Sequence, residues 1–76
     1  MHVEYLQYLI EVSNCRSISA AAKKLFLSQT TLSAIIASLE KDLNITFFNR
    51  THKGITLTQE GKQALEIIQE ILAKNE

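Results

Sequence analysis

The sequence predicts a mostly α-helical domain closed by one two-stranded β hairpin. Three observations predict it. The 76 residues contain no proline and only two glycines, so little interrupts helix formation. Apolar residues recur at helical spacing through most of the chain. Between Ile45 and Leu57 the period shortens to an alternation, broken by the polar run Asn49-Arg50-Thr51-His52-Lys53-Gly54.

Helix one is expected over residues 2–13, because Val3, Leu6, Leu9, Ile10 and Ser13 share a face. Asn14 is the residue best suited to a left-handed end. Ser17 then reads as an N-cap, opening a helix whose inward face is Ile18, Ala21, Ala22 and Leu25. The two alanines let another helix come close. Leu27 is expected to be buried in the next turn, and Ser28 is the next N-cap. Helix three should run from Gln29 to Leu43, with Leu32, Ile36, Leu39 and Leu43 on one side and Ile35 at the edge. Strands are expected near 47–50 and 54–57, with Gly54 supplying turn freedom. An isolated hairpin is marginal, so its apolar residues must pack on the helices. Tyr5, Tyr8 and the three phenylalanines are expected in the core or at its edge. Thr58 caps helix four, with Glu60 in its first turn, where the helix dipole favours an anion.

Helix four carries Ala64, Leu65, Ile67, Ile68, Ile71 and Leu72. At ~100° per residue they spread over about 160°, wider than the ~100° a core-facing stripe needs. The surplus points to a partner helix, with Leu65, Ile68, Ile71 and Leu72 as the pairing residues. Two regions are therefore expected: residues 1–58 as the folded head and 59–76 as a linker and dimerisation helix. The chain stops at Asn75-Glu76 without a C-cap, which reads as a cut inside a longer helix.

Composition narrows the function classes. Hydrophobic content is 46% and charge 21%, as in a globular chain. Cys15 is the single cysteine, so no intramolecular disulfide can form and a cytoplasmic location is expected. No apolar run approaches the ~18–20 residues of a membrane span, and no signal peptide is visible. His2, His52 and Cys15 have no metal-ligand spacing. No nucleophile–base pair or glycine-rich phosphate loop appears, so neither an enzyme nor a cofactor is expected. Net charge is zero, but its distribution is uneven. Residues 12–58 hold Arg16, Lys23, Lys24, Lys41, Arg50 and Lys53 against Glu40 and Asp42, between two acidic ends. Taken alone, that pattern is what an ordinary protein surface carries.

The outer side of helix three says more. It carries Thr30, Ser33, Ala34, Ala37 and Lys41, almost all short side chains. A solvated helix normally places Glu, Lys, Arg or Gln there. A low ridge is what a helix needs if its backbone must approach another surface. Helix two, a tight turn and helix three form a helix-turn-helix, with Phe26 where many such turns have glycine; the hairpin that follows makes it a winged helix-turn-helix.

Ser17-Ile18-Ser19-Ala20-Ala21-Ala22, Leu25, Ser28-Gln29, Ser33, Leu39-Glu40, Leu43, Phe48, Arg50, Leu57-Thr58 and Gly61 together resemble the N-terminal DNA-binding domain of LysR-type transcriptional regulators. The resemblance covers nearly the whole chain without shifts in spacing. It implies double-stranded DNA as partner, a homodimer through helix four acting on an inverted repeat, and a small-molecule effector sensed only by a C-terminal domain missing from this chain. It also implies that Gln29, Thr30, Ser33 and Ala34 face the bases. The family usually has proline where Thr30 stands, a long polar or basic residue where Ala34 stands, and glycine where Asn44 stands. Ala34 therefore removes a base or phosphate contact, and the target sequence does not carry over.

The chemistry of these residues fits that expectation. The start of helix three offers unpaired amides and a positive dipole end, which suit phosphate. Gln29 can pair with adenine, and Thr30 and Ser33 can bond bases or phosphate. Thr31 serves either as a contact or as part of the cap. Arg50, His52 and Lys53 are expected on DNA backbone or in the minor groove, and Lys23, with Ser17 and Ser19, on phosphate at the other flank. The competing reading is a helical protein-interaction module without DNA binding; the basic hairpin beside the ridge is the feature it does not require.

Overall fold

The computed structural model describes residues 3–74; Met1, His2, and Asn75-Glu76, where a cut inside a longer helix was expected, lie outside them. The chain folds as α1 (Val3–Cys15), α2 (Ile18–Leu25), α3 (Gln29–Leu43), β1 (Phe48–Thr51), β2 (Gly54–Leu57) and α4 (Gln59–Lys74). Helices α1, α2 and α3 pack on one another, and α4 and β2 close over α1. The core is Leu9, Val12, Ile18, Ala21, Ala22, Leu32, Ile36, Leu39, Phe47, Phe48, Ile55, Leu65 and Ile68. The small Ala21 and Ala22 sit inside it, as the close approach of α2 to its neighbours requires. Val3 departs from the expected face of α1 and is exposed, while Val12 takes a core position.

Local chemistry sets the helix ends. Ser17 accepts from the Ala20 amide at 3.1 Å, and Ser28 accepts from the Thr31 amide at 3.0 Å. Thr58 accepts from the Gly61 amide at 2.9 Å. Asn44 closes α3 in the left-handed conformation at φ 55°. At the end of α1 the expectation fails: Asn14 stays helical and Arg16 takes the positive φ. The reason is tertiary. The Arg16 amide closes the helix onto the Val12 carbonyl at 2.9 Å, and its carbonyl accepts from the Ile55 amide at 3.3 Å, tying β2 to the α1–α2 corner.

The hairpin pairs Phe48 with Leu57, Asn49 with Thr56, Arg50 with Ile55, and Thr51 with Gly54. The first strand begins one residue later than expected because the Phe47 amide donates to Glu40 Oε2 at 2.7 Å rather than joining the ladder. Its ring is fully buried. Gly54 takes φ +123°, and a Cβ there would stand 3.1 Å from the Arg16 carbonyl oxygen.

Candidate nucleic-acid interface

The α3 ridge is open. Gln29, Thr30, Thr31, Ala34 and Ala37 are exposed and Ser33 is half-buried, while Leu32, Ile36 and Leu39 face inward. The first two amides of α3, those of Gln29 and Thr30, have no partner within the helix. Thr31 is engaged in the cap: besides its amide, its hydroxyl oxygen accepts from Ser28 Oγ at 2.8 Å. Its neighbours Thr30 and Ser33 therefore offer the freer hydroxyls.

Strand alternation decides where the basic side chains go. Arg50 lies two residues from Phe48 and opposite Ile55, so it shares the face that turns toward the helices. Phe48 and Ile55 are buried there, and Arg50, further out, is exposed. It meets Ser17, Ile18, Ser19, Gln29, Thr51, Gly54 and Ile55 around one open groove. The N-terminal turn of α2, the first residue of α3 and one guanidinium thus converge. Such a place is electropositive from two sources, helix-end amides and a full charge.

His52 and Lys53 form the exposed tip of the hairpin, so Arg50 stands below them on the strand rather than at the tip itself. Thr51 holds that tip: its hydroxyl donates to the Gly54 carbonyl and accepts from the Lys53 amide, each at 3.2 Å. Lys23 is exposed in the last turn of α2. Its neighbour Lys24 is turned to α1, where its ammonium meets Glu11 Oε1 at 2.8 Å. This contact lowers the Glu11 carboxyl below its usual value, chiefly through the hydrogen bond, and raises the Lys24 ammonium.

The four residues expected to pair helices divide. Leu65 and Ile68 are buried in the chain's own core, Leu72 is half-buried, and Ile71 is exposed. Ile67, one turn before Ile71, is also exposed, at 58% and 49% respectively. The two isoleucines lie on a stripe rotated by ~100° from the buried one. Phe26 corrects another expectation. It is 96% exposed and left-handed at φ 60°, standing in the turn position where glycine would be unstrained.

Sequence reading named Glu40 and Glu60 but missed what their carboxylates reach. Glu40 reaches the Phe47 amide, and Glu60 accepts from the Thr46 amide at 2.9 Å. Both span the joint between α3, the hairpin and α4, and no local pattern signals such a reach. Among the described residues there is no cluster of three or more metal-ligating side chains, and no helix is long and apolar enough to cross a membrane.

Comparison with known proteins bears on this geometry. Residues 3–62 match the family model described as bacterial regulatory helix-turn-helix protein, lysR family. The transcriptional regulator ClcR of Pseudomonas putida is 39% identical over 72 residues, covering 95% of this chain and 24% of the relative. The chain thus spans about a quarter of the length of the relatives it matches. Among solved structures, a complex of the CbnR DNA-binding domain with DNA superposes with a TM-score of 0.91 at 36% identity, covering 99% of this chain and 86% of that one. A complex of the BenM DNA-binding domain with catB site 1 DNA gives 0.90 at 30% identity, covering 97% and 80%.

Proposed function

The chain belongs to the lysR family of bacterial regulatory helix-turn-helix proteins, and on that premise we propose that it binds double-stranded DNA sequence-specifically as the DNA-reading part of a transcription regulator. The observation that carries the proposal is the convergence of Arg50, Gln29 and the start of α2 on one groove beside the low ridge of α3. The ridge enters the major groove. Gln29, Thr30, Ser33 and Ala34 meet base edges, and Thr31 supports them through the cap. Arg50 neutralises phosphate at the rim, while His52 and Lys53 follow the backbone into the minor groove. Lys23 meets phosphate on the opposite flank. Structural neighbours solved as complexes with DNA support a duplex as the partner.

Few cations face the duplex, so one copy holds DNA weakly and two copies joined through α4 hold it well. The exposed Ile67 and Ile71, with Leu72 at the margin, form the pairing stripe; Leu65 and Ile68 support it from the core. In this reading residues 1–58 are the reading head and 59–76 the dimerising helix.

Fluorescence anisotropy tests the proposal. Duplexes selected from a random pool by the chain should bind tighter than unselected duplex, and affinity should fall as salt rises, by about one decade per decade of salt for each phosphate neutralised. Arg50→Ala should weaken binding to all duplexes alike, whereas Gln29→Ala and Ser33→Ala should change which sequences are preferred. Salt-independent binding, or no selectivity at all, would overturn the reading.

A further inference from the structure

We propose that Glu40 and Glu60 are positioning residues that set where the wing stands relative to α3. The joint between them is four residues, 44–47. Asn44 and Ile45 complete the end of α3 by donating to the Lys41 and Glu40 carbonyls at 3.3 and 3.1 Å. The next two residues belong to neither helix nor strand, and their amides need acceptors. Glu60, from the first turn of α4, takes the Thr46 amide; Glu40, from the last turns of α3, takes the Phe47 amide. On the opposite edge the Thr58 hydroxyl donates to the Thr46 carbonyl, and the Thr58 amide donates to the Phe47 carbonyl at 2.9 Å.

The peptide path is thus held from both sides by α3, α4 and the residue joining the hairpin to α4. Gly61 makes that approach possible. A Cβ at Gly61 would fall on the Phe47 carbonyl oxygen and stand 2.8 Å from Phe47 Cα and 2.9 Å from Thr58 Oγ1. The hairpin leaves this joint at Phe48, and two residues later carries Arg50 to the groove shared with Gln29. Neither carboxylate touches that groove. They act on it through the direction of the strand: charge-assisted bonds to amides are short and directional, so they set orientation as well as adding stability.

The inference in its DNA arm rests on the binding reading above, so its test has an arm that does not. In the free 76-residue chain, amide hydrogen exchange should quicken at Phe47 in Glu40→Ala and at Thr46 in Glu60→Ala. Residual dipolar couplings of residues 48–57 should then reorient relative to those of α3. The amides of Leu9 and Ile36 should keep their protection, and Glu40→Gln, which retains an acceptor oxygen, should largely restore the parent couplings. Unchanged couplings in both alanine variants would overturn the proposal, as would a uniform loss of protection in core and wing together.

On a selected duplex, Glu40→Ala should weaken binding about tenfold, the size of losing one charged hydrogen bond's worth of orientation. In an Arg50→Ala/Lys53→Ala background the same change should cost less than twofold, because no wing contact is left to misplace. An equal loss in both backgrounds would overturn the proposal by showing a general defect in the fold. If Arg50→Ala/Lys53→Ala itself leaves affinity unchanged, the wing is no DNA contact; the exchange and couplings then decide the positioning claim by themselves.

Discussion

Helices α3 and α4 have nearly the same length, 15 and 16 residues, and each buries one apolar stripe. They differ on the side away from the core. The open side of α3 is Thr30, Ser33, Ala34 and Ala37, while the flank of α4 carries Ile67 and Ile71. The difference is one of what each surface is shaped to meet. Short side chains keep the helix low, so its backbone and stub hydroxyls lie close to the surface. Branched apolar chains left in water gain only when another apolar surface covers them, at roughly 25 cal/mol per Å². On the proposed reading, one helix serves close polar approach and the other hydrophobic pairing.

The comparison can be broken most strongly within α3. Leu32→Ala empties a fully buried site and should cost about 3 kcal/mol in chemical denaturation. Ala37→Leu, on the ridge, should leave the melting midpoint nearly unchanged, yet lower affinity for a selected duplex by roughly 30-fold, about 2 kcal/mol, by holding the backbone away. Equal effects of the two changes on stability would erase the distinction between the faces.

A smaller effect is expected on α4. Ile67→Asp with Ile71→Asp should raise the dimer dissociation constant at least about tenfold in sedimentation equilibrium. Monomer stability should stay within about 0.5 kcal/mol, since both residues are exposed. Leu65→Ala should do the reverse, unfolding the head before it separates the protomers.

The turn ahead of α3 offers a gain of stability. Phe26→Gly removes an exposed ring that packs on little and relieves a left-handed residue. After the added freedom of the unfolded glycine, thermal denaturation should show about 0.5–1 kcal/mol of stabilisation. A loss would mean that the ring is held by contacts in solution.

The smallest effect concerns the Glu11–Lys24 tie between α1 and α2. The Glu11 carboxyl is lowered from 4.5 by Lys24, so its contribution is present above that value and is lost as pH falls through the lower folded one. The Lys24 ammonium is raised from 10.5, so its contribution is whole below that value and is lost as pH rises through the higher folded one. Glu11→Gln should therefore lower the melting temperature slightly between those limits. The difference should close in strong acid and shrink in high salt, because the lysine is largely exposed.

Much of this was legible before any coordinates. The caps at Ser17, Ser28 and Thr58, the span Gln29–Leu43, the second strand and the low ridge all follow from neighbours within a few positions. Hydroxyl to amide three residues on, or apolar side chains three and four apart, are relations a linear pattern contains. The left-handed corner after α1 shows the limit. Asn14 is the better local choice, but Arg16 takes it because β2 needs the Arg16 carbonyl.

By itself, then, the amino-acid order determined the helices, their caps, the hairpin and the unusual smallness of one helix face, because each depends on short-range sterics and hydrogen bonding. The tertiary structure decided which of the apolar residues on α4 turn inward, that Arg50 faces the start of α3, and that Glu40 and Glu60 hold the joint beneath the wing. Those outcomes join residues distant in the chain, Glu60 to Thr46 and Arg16 to Ile55 among them. They exist only once packing has brought the elements together, and no periodicity along the chain encodes them.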